Sequence, residues 1–127
     1  MPNNFISHHY ASECKNGVNV WHVPKLWRLG RLRPIKPILV DSIIASIIDE
    51  ANEHYNEEDW NKVFNARLRY PIILDQQQNI VDGIHRLIRA YLNDIREIRA
   101  VTIYMPSPDY IFKTWEEYVA WFDSNFL

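Results

Sequence analysis

Cysteine is nearly missing from this chain: Cys14 is the one instance in 127 residues. A lone cysteine excludes an internal disulfide and any cysteine-built zinc cluster, and it suits a reducing cytoplasm. Glycine is scarce too, at three residues, so a phosphate-cradling Gly-rich loop of the P-loop kind has no material to form from. No apolar run approaches the ~18 residues that would cross a membrane, so no membrane partner is expected. The segment Met1 to Tyr10 is polar and carries two histidines, with none of the apolar stretch of a secretory signal. Nor is there an excess of charge of one sign. Fourteen Lys and Arg stand against sixteen Asp and Glu, a net charge of −2. Proteins that neutralise phosphates along a duplex are usually basic, so nucleic acid is possible as a partner but disfavoured.

What the chain does have is the ordinary stuff of a globular domain. Hydrophobic residues make up 47% and charged residues 24%, which excludes disorder of the whole chain. Its length suits one domain. Aromatics reach 13%, with five Trp, which predicts a thick aromatic core or a partly exposed aromatic surface for a partner. Trp60, Trp115 and Trp121 fall on or near apolar stripes. Trp21 and Trp27 are less determined and have the chemistry to stack on a base.

The pattern along the chain predicts an irregular N-terminal arm over 1–17 and a strand near Val18 to Val23. A short helix follows from Pro24 to Arg33, since proline is tolerated in a first turn. Pro34 and Pro37 bracket an extended piece, Ile35 to Val40; proline cannot donate to a ladder, so this is an edge strand. Asp41 reads as the N-cap of a helix carrying Ile43, Ile44, Ile47, Ile48 and Ala51 at 3.6-residue spacing. Asn56 to Asp59 opens another helix, with Trp60, Val63, Phe64 and Leu68 on one face. Tyr70 to Leu74 and a strand from Ile80 form a hairpin around the solvated turn Asp75 to Asn79. Ile84, Leu87, Ile88, Tyr91 and Leu92 mark the core face of a helix that Asn93-Asp94 ends. Ile95 to Tyr104 is a strand, and Thr114 with Glu117 is a capping box for a last helix over 114–126. The fold class is α/β (α+β): a small mixed sheet with helices around it, in one domain over 18–127.

Chemistry concentrates at Asp82-Gly83-Ile84-His85-Arg86, where a strand hands over to a helix. A helix start carries unpaired N–H groups and the positive end of a dipole, which attract anions. Gly83 lets the backbone approach a ligand. His85 and Arg86 add donors in the first turn, and Arg89 follows four residues after His85. Arginine suits phosphate because its planar fork binds two oxygens at once. Asp82 has three readings: a helix cap, a partner that holds His85 in one tautomer, or a general base or magnesium ligand. The cluster Arg28, Arg31, Arg33 and Lys36 is a second wall of a phosphate pocket, a nucleic-acid patch, or a solvated face. His8, His9, His22 and His54 lack the i, i+4 spacing of a helical metal site, so no metal ligands are assigned.

Tyr70-Pro-Ile-Ile-Leu74, a turn, Ile80-Val-Asp-Gly-Ile-His-Arg-Leu-Ile-Arg-Ala90 and a strand to Tyr104 together resemble the ParB/sulfiredoxin-like family. The likeness is close from Arg69 to Tyr104 and loose from Leu26 to Ile48. It implies that Gly83, His85 and Arg86 bind nucleotide phosphates (ATP, ADP or CTP, with Mg²⁺). The residue that is the cysteine nucleophile in sulfiredoxins is Ile84 here, so sulfinic acid reduction is not expected. The sequence is not expected to be a complete partition protein, since no helix-turn-helix region is legible after the motif. The likeness to free serine kinases of this fold implies ATP-dependent phosphoryl transfer to a small molecule, with Asp82 and His85 as catalytic residues. An upstream glutamate would complete such a site, from among Glu50, Glu53, Glu57 and Glu58. A ParB-like nucleic-acid module with nuclease activity and a non-catalytic interaction domain are the alternatives.

Overall fold

In the computed structural model, which describes residues 9–126, seven strands and five α-helices alternate along the chain. They are β1 (His9–Cys14), β2 (Gly17–His22), α1 (Val23–Gly30), β3 (Lys36–Leu39), α2 (Ala45–His54), α3 (Glu57–Phe64), β4 (Ile72–Leu74), β5 (Ile80–Asp82), α4 (Ile84–Leu92), β6 (Glu97–Thr102), β7 (Tyr110–Phe112) and α5 (Trp115–Phe126). The class is α+β, as expected, but the strands form two sheets rather than one. The chain divides into two compact units: the residues up to Leu29 together with Met105 onward, and Gly30–Tyr104. None of the described helices is long and apolar enough to cross a membrane.

The first unit holds the antiparallel sheet β1-β2-β7. Here the expected arm is corrected: residues 9–14 are a strand paired along their whole length with β2, from His9 opposite His22 to Cys14 opposite Gly17. The polar composition of β1 hid it, because its side chains are half-buried or exposed and show no apolar alternation. Residues 1–8 of the expected arm, His8 included, lie outside the described residues. Gly17 sits at φ 136°, and a Cβ there would stand 2.1 Å from the Phe112 carbonyl oxygen, so only glycine lets β7 close on the hairpin. Trp21 is 6% exposed and its Nε1 donates to the Pro106 carbonyl at 2.8 Å. It is a core residue with a satisfied polar end, not a free platform for a base. Trp115, expected in the core, is 43% exposed. The cap of α5 is as predicted on one side: Thr114 Oγ1 accepts from the Glu117 N–H at 3.1 Å. Glu117 answers the Lys113 N–H instead of that of Thr114.

The second unit is built on the mixed sheet β3-β6-β4-β5. β4 runs parallel to β6, while β3 and β5 are antiparallel to their neighbours. β3 is an edge strand, as Pro37 required. Leu74, Ile72, Ala100 and Ile98 join Ile48, Val63, Leu87 and Ile88 in one apolar core, under α2, α3 and α4. Burying Leu87 and Ile88 completely stabilises the unit by about 1.5–3 kcal/mol each. Two sequence readings change. Asp41 is not an N-cap: residues 40–42 form a 3₁₀ turn, α2 begins at Ala45, and its cap position, Ile44, offers no side-chain acceptor. The buried face of α4 is Leu87, Ile88 and Ala90, whereas Ile84, Tyr91 and Leu92 are 38%, 39% and 45% exposed. The buried face is thus turned from the expected one, and the partly buried Arg86 and Arg89 donate to the Pro71 and Ala66 carbonyls.

Candidate functional site

Gly83 is the hinge between β5 and α4. Its φ is 102°, and a Cβ there would lie 2.7 Å from Ile72 Cγ2 and 2.8 Å from Arg86 Nη2. The position therefore demands glycine twice, for its backbone angle and for its contact with β4. Gly83 also occupies the N-cap position of α4, so that position supplies no side-chain acceptor. By contrast, α3 has a full capping box between Asn56 and Asp59.

Arg86 faces inward. Its Nη2 donates to the Pro71 carbonyl at 3.1 Å and lies 3.4 Å from Asp82 Oδ2, with the two side chains 19% and 16% exposed. Its Nε is buried and finds no hydrogen-bond acceptor. Arg86 thus clips the first turn of α4 to the segment entering β4. Arg89, one turn on, donates through Nη1 to the Ala66 carbonyl. The two arginines expected to grip a ligand are both engaged with main-chain carbonyls of the stretch 66–71. Of the three readings of Asp82, the cap falls away, since Gly83 holds that position, and Asp82 Oδ2 lies beside Arg86 Nη2.

His85 is half-buried, with its ring 5.9 Å from that of Tyr55. Burial pushes its pKa below the ordinary 6.5, and the nearby Lys62 ammonium pushes the same way. It is therefore neutral at pH 7, a single N–H donor rather than a cation. Tyr55 continues an aromatic row to Trp60 and Phe64. Its hydroxyl pKa is raised by burial and by Asp59 and Glu50.

The sequence-assigned positions therefore separate. Gly83, His85 and Arg86 do share one helical turn. Glu50, Glu53, Glu57 and Glu58, the candidates for an upstream acid, are all exposed on α2 and α3. The basic cluster does not form a second wall for the Gly83 turn: Lys36 belongs to β3, Gly83 follows β5, and these are opposite edges of the sheet. Instead, Arg33 and Lys36 border a separate cleft of about 240 Å³ with Gln78 and Thr102. Gln78 and Thr102 carried no signal in the sequence, since one looked like a solvated turn and the other like a strand residue. Among the described residues no group of three or more His, Cys, Asp or Glu is arranged to hold a metal ion. No protein-family model, curated protein or solved structure matches the chain.

Proposed function

We propose that the Gly30–Tyr104 unit binds the phosphate of a nucleotide or of another small phosphorylated molecule at the N-terminal end of α4. The observation that carries this reading is Gly83 itself: a left-handed residue without a side chain at the cap of a nine-residue helix. The first N–H groups of a helix have no partner within it, and the dipole adds positive potential at that end. Arg86 contributes a second, partly shielded positive charge at the same turn. The likeness of the Asp82 to Arg86 motif to ParB/sulfiredoxin-like proteins points the same way, and a bound nucleotide would bring Mg²⁺ with its phosphates.

The reading is one of binding rather than catalysis, because Asp82 is paired with Arg86 and so is poorly placed to take a proton from a substrate. The cytoplasm, where nucleotides abound and Cys14 stays reduced, is the compartment it implies. Thermal denaturation with ATP, ADP and CTP, each with and without Mg²⁺, tests it. A ligand at 100 times its Kd adds ~2.7 kcal/mol of stability, and amide NMR shifts should centre on Gly83, Ile84 and His85. No stabilisation by any nucleotide would overturn the nucleotide reading, and phosphate-induced shifts confined to other residues would overturn the site. In a gel-shift assay duplex DNA should bind weakly at physiological salt; sub-micromolar affinity with a steep salt slope would favour the nucleic-acid reading instead.

A further inference from the structure

On the other edge of the same unit, β3 and β6 form a cleft that the motif does not involve. It is bordered by two cations, Arg33 and Lys36, by the neutral donors Gln78 and Thr102, and by Pro34 and Pro37, with no acidic side chain in its lining. We propose that this cleft is a second anion site, distinct from the Gly83 turn, and that it takes a small phosphomonoester.

Three features show that the cleft is held in shape. Arg33 is oriented from two sides: its Nε donates to the Thr102 carbonyl at 3.1 Å, and its guanidinium lies 5.7 Å from the centre of the Tyr104 ring. The terminal nitrogens make neither of these contacts, and a guanidinium fork suits two oxygens of one anion. Lys36 opposes Ala100 in the β3–β6 ladder, and Pro34 and Pro37 on either side of it limit the backbone. Gln78 stands at φ 68°, a conformation that ordinarily falls to glycine or asparagine. The turn that holds it there is clamped by the buried carboxylate of Asp75, which accepts from the Gln77 and Asn79 N–H groups at 2.9 Å each and from Asn79 Nδ2 at 3.1 Å. Strained residues of this kind collect at ligand sites. With these contacts the Asp75 carboxylate is spent on its own turn.

The chemistry of the lining selects the ligand. Two positive charges with no acid in the lining favour a dianion, and a phosphomonoester carries nearly two charges at neutral pH. Arg33 would take two phosphoryl oxygens, Lys36 would act as a point charge on the third, and Gln78 and Thr102 would meet the hydroxyls of the ligand's body. A cavity of about 240 Å³ is smaller than the ~300–1,000 Å³ typical of sites for drug-sized ligands, so that body is a few carbons long.

The test is an NMR titration of the whole protein with glycerol 3-phosphate, run beside sodium sulfate, malonate and a single-stranded oligonucleotide. Saturable shifts at Arg33 Nε–H and at the Gln78 and Thr102 amides are expected, with glycerol 3-phosphate binding more tightly than sulfate or malonate. Arg33→Gln and Lys36→Gln should each weaken it about fivefold or more, and the double variant should abolish it. Gln78→Gly should weaken binding while keeping or raising the melting temperature, since glycine accepts that backbone angle freely. A merely structural glutamine would not give that combination. Shifts that grow linearly and equally with all four solutes would overturn the site, as would binding that survives in the double variant. Tighter binding of the oligonucleotide than of the monoester would overturn the small-ligand assignment. Because the Gly83 turn is untouched in these variants, loss of nucleotide binding there would leave this test unaffected, and the reverse.

Discussion

Replacing Arg86 by alanine removes a hydrogen bond to the Pro71 carbonyl and an ion pair with Asp82 in one step. An exposed first-turn arginine would contribute little, but this one is four-fifths buried. Hydrogen bonds to charged groups are worth roughly 1.5–3 kcal/mol. Arg86→Ala should therefore lower the melting temperature by about 10 °C in a domain of this size, measured by calorimetry. Asp82→Asn, which would be silent for a simple cap, should cost about 1 kcal/mol because it leaves Arg86 without its charge partner. A midpoint unchanged in urea would contradict that assignment. His85 sets a pH dependence. Its folded pKa lies below the unfolded value of 6.5, so below about that pH the unfolded chain binds more protons than the folded one. Stability is complete above this window and falls as pH drops through it towards the folded pKa. His85→Gln should flatten that slope in denaturation curves taken between neutral and acidic pH.

The helices differ in how their starts are secured, and the differences are measurable. α3 has a reciprocal cap, with the Asn56 side chain accepting from Asp59 at 2.9 Å and Asp59 accepting from Asn56 at 3.1 Å. Asn56→Ala should cost about 1 kcal/mol, read from the denaturant midpoint. α4 has no such cap and depends on Gly83 and on the arginine clips to residues 66–71. Gly83→Ala should therefore be far more costly than a helix-start glycine would suggest, at about 2 kcal/mol or more from backbone strain and the contact with Ile72. The β4–β5 turn relies on a single buried carboxylate in a comparable way, and Asp75→Ala would leave three donors without it.

Across the molecule, two sheets divide the chain into two units, and each holds residues that are entirely buried: Val18, Val20 and Leu26 in one, Ile72, Leu74 and Leu87 in the other. In the Gly30–Tyr104 unit the central strands β6 and β4 pair on both sides, whereas β3 and β5 pair on one. Amide hydrogen exchange should accordingly be slowest in β4, β6 and the inner face of α4, and faster in β3. Leu87→Ala should cost about 2–5 kcal/mol through the cavity it opens, with exchange across that unit accelerated together. Exchange that speeds up only near position 87 would show the unit to be less cooperative than its shared core implies.

Local chemistry was enough to determine most elements of the second unit. The β4–β5 hairpin, the edge position of β3, α4 with its stop at Asn93-Asp94, and the α+β class all follow from period, turn residues and proline, because each depends on neighbours within a few positions. β1 did not follow, since a polar strand is recognisable only by the strand it pairs with. The role of the Asp82 to Arg89 motif was half-legible. The spacing put Gly83, His85 and Arg86 in one turn, but which way an arginine points depends on the carbonyls it meets, and Pro71 and Ala66 are brought there by the sheet. The cleft of Arg33, Lys36, Gln78 and Thr102 was decided by tertiary structure alone. Its parts are spread over 69 positions of sequence, and only the β3–β6 ladder and the turn after β4 bring two cations and two neutral donors to one edge.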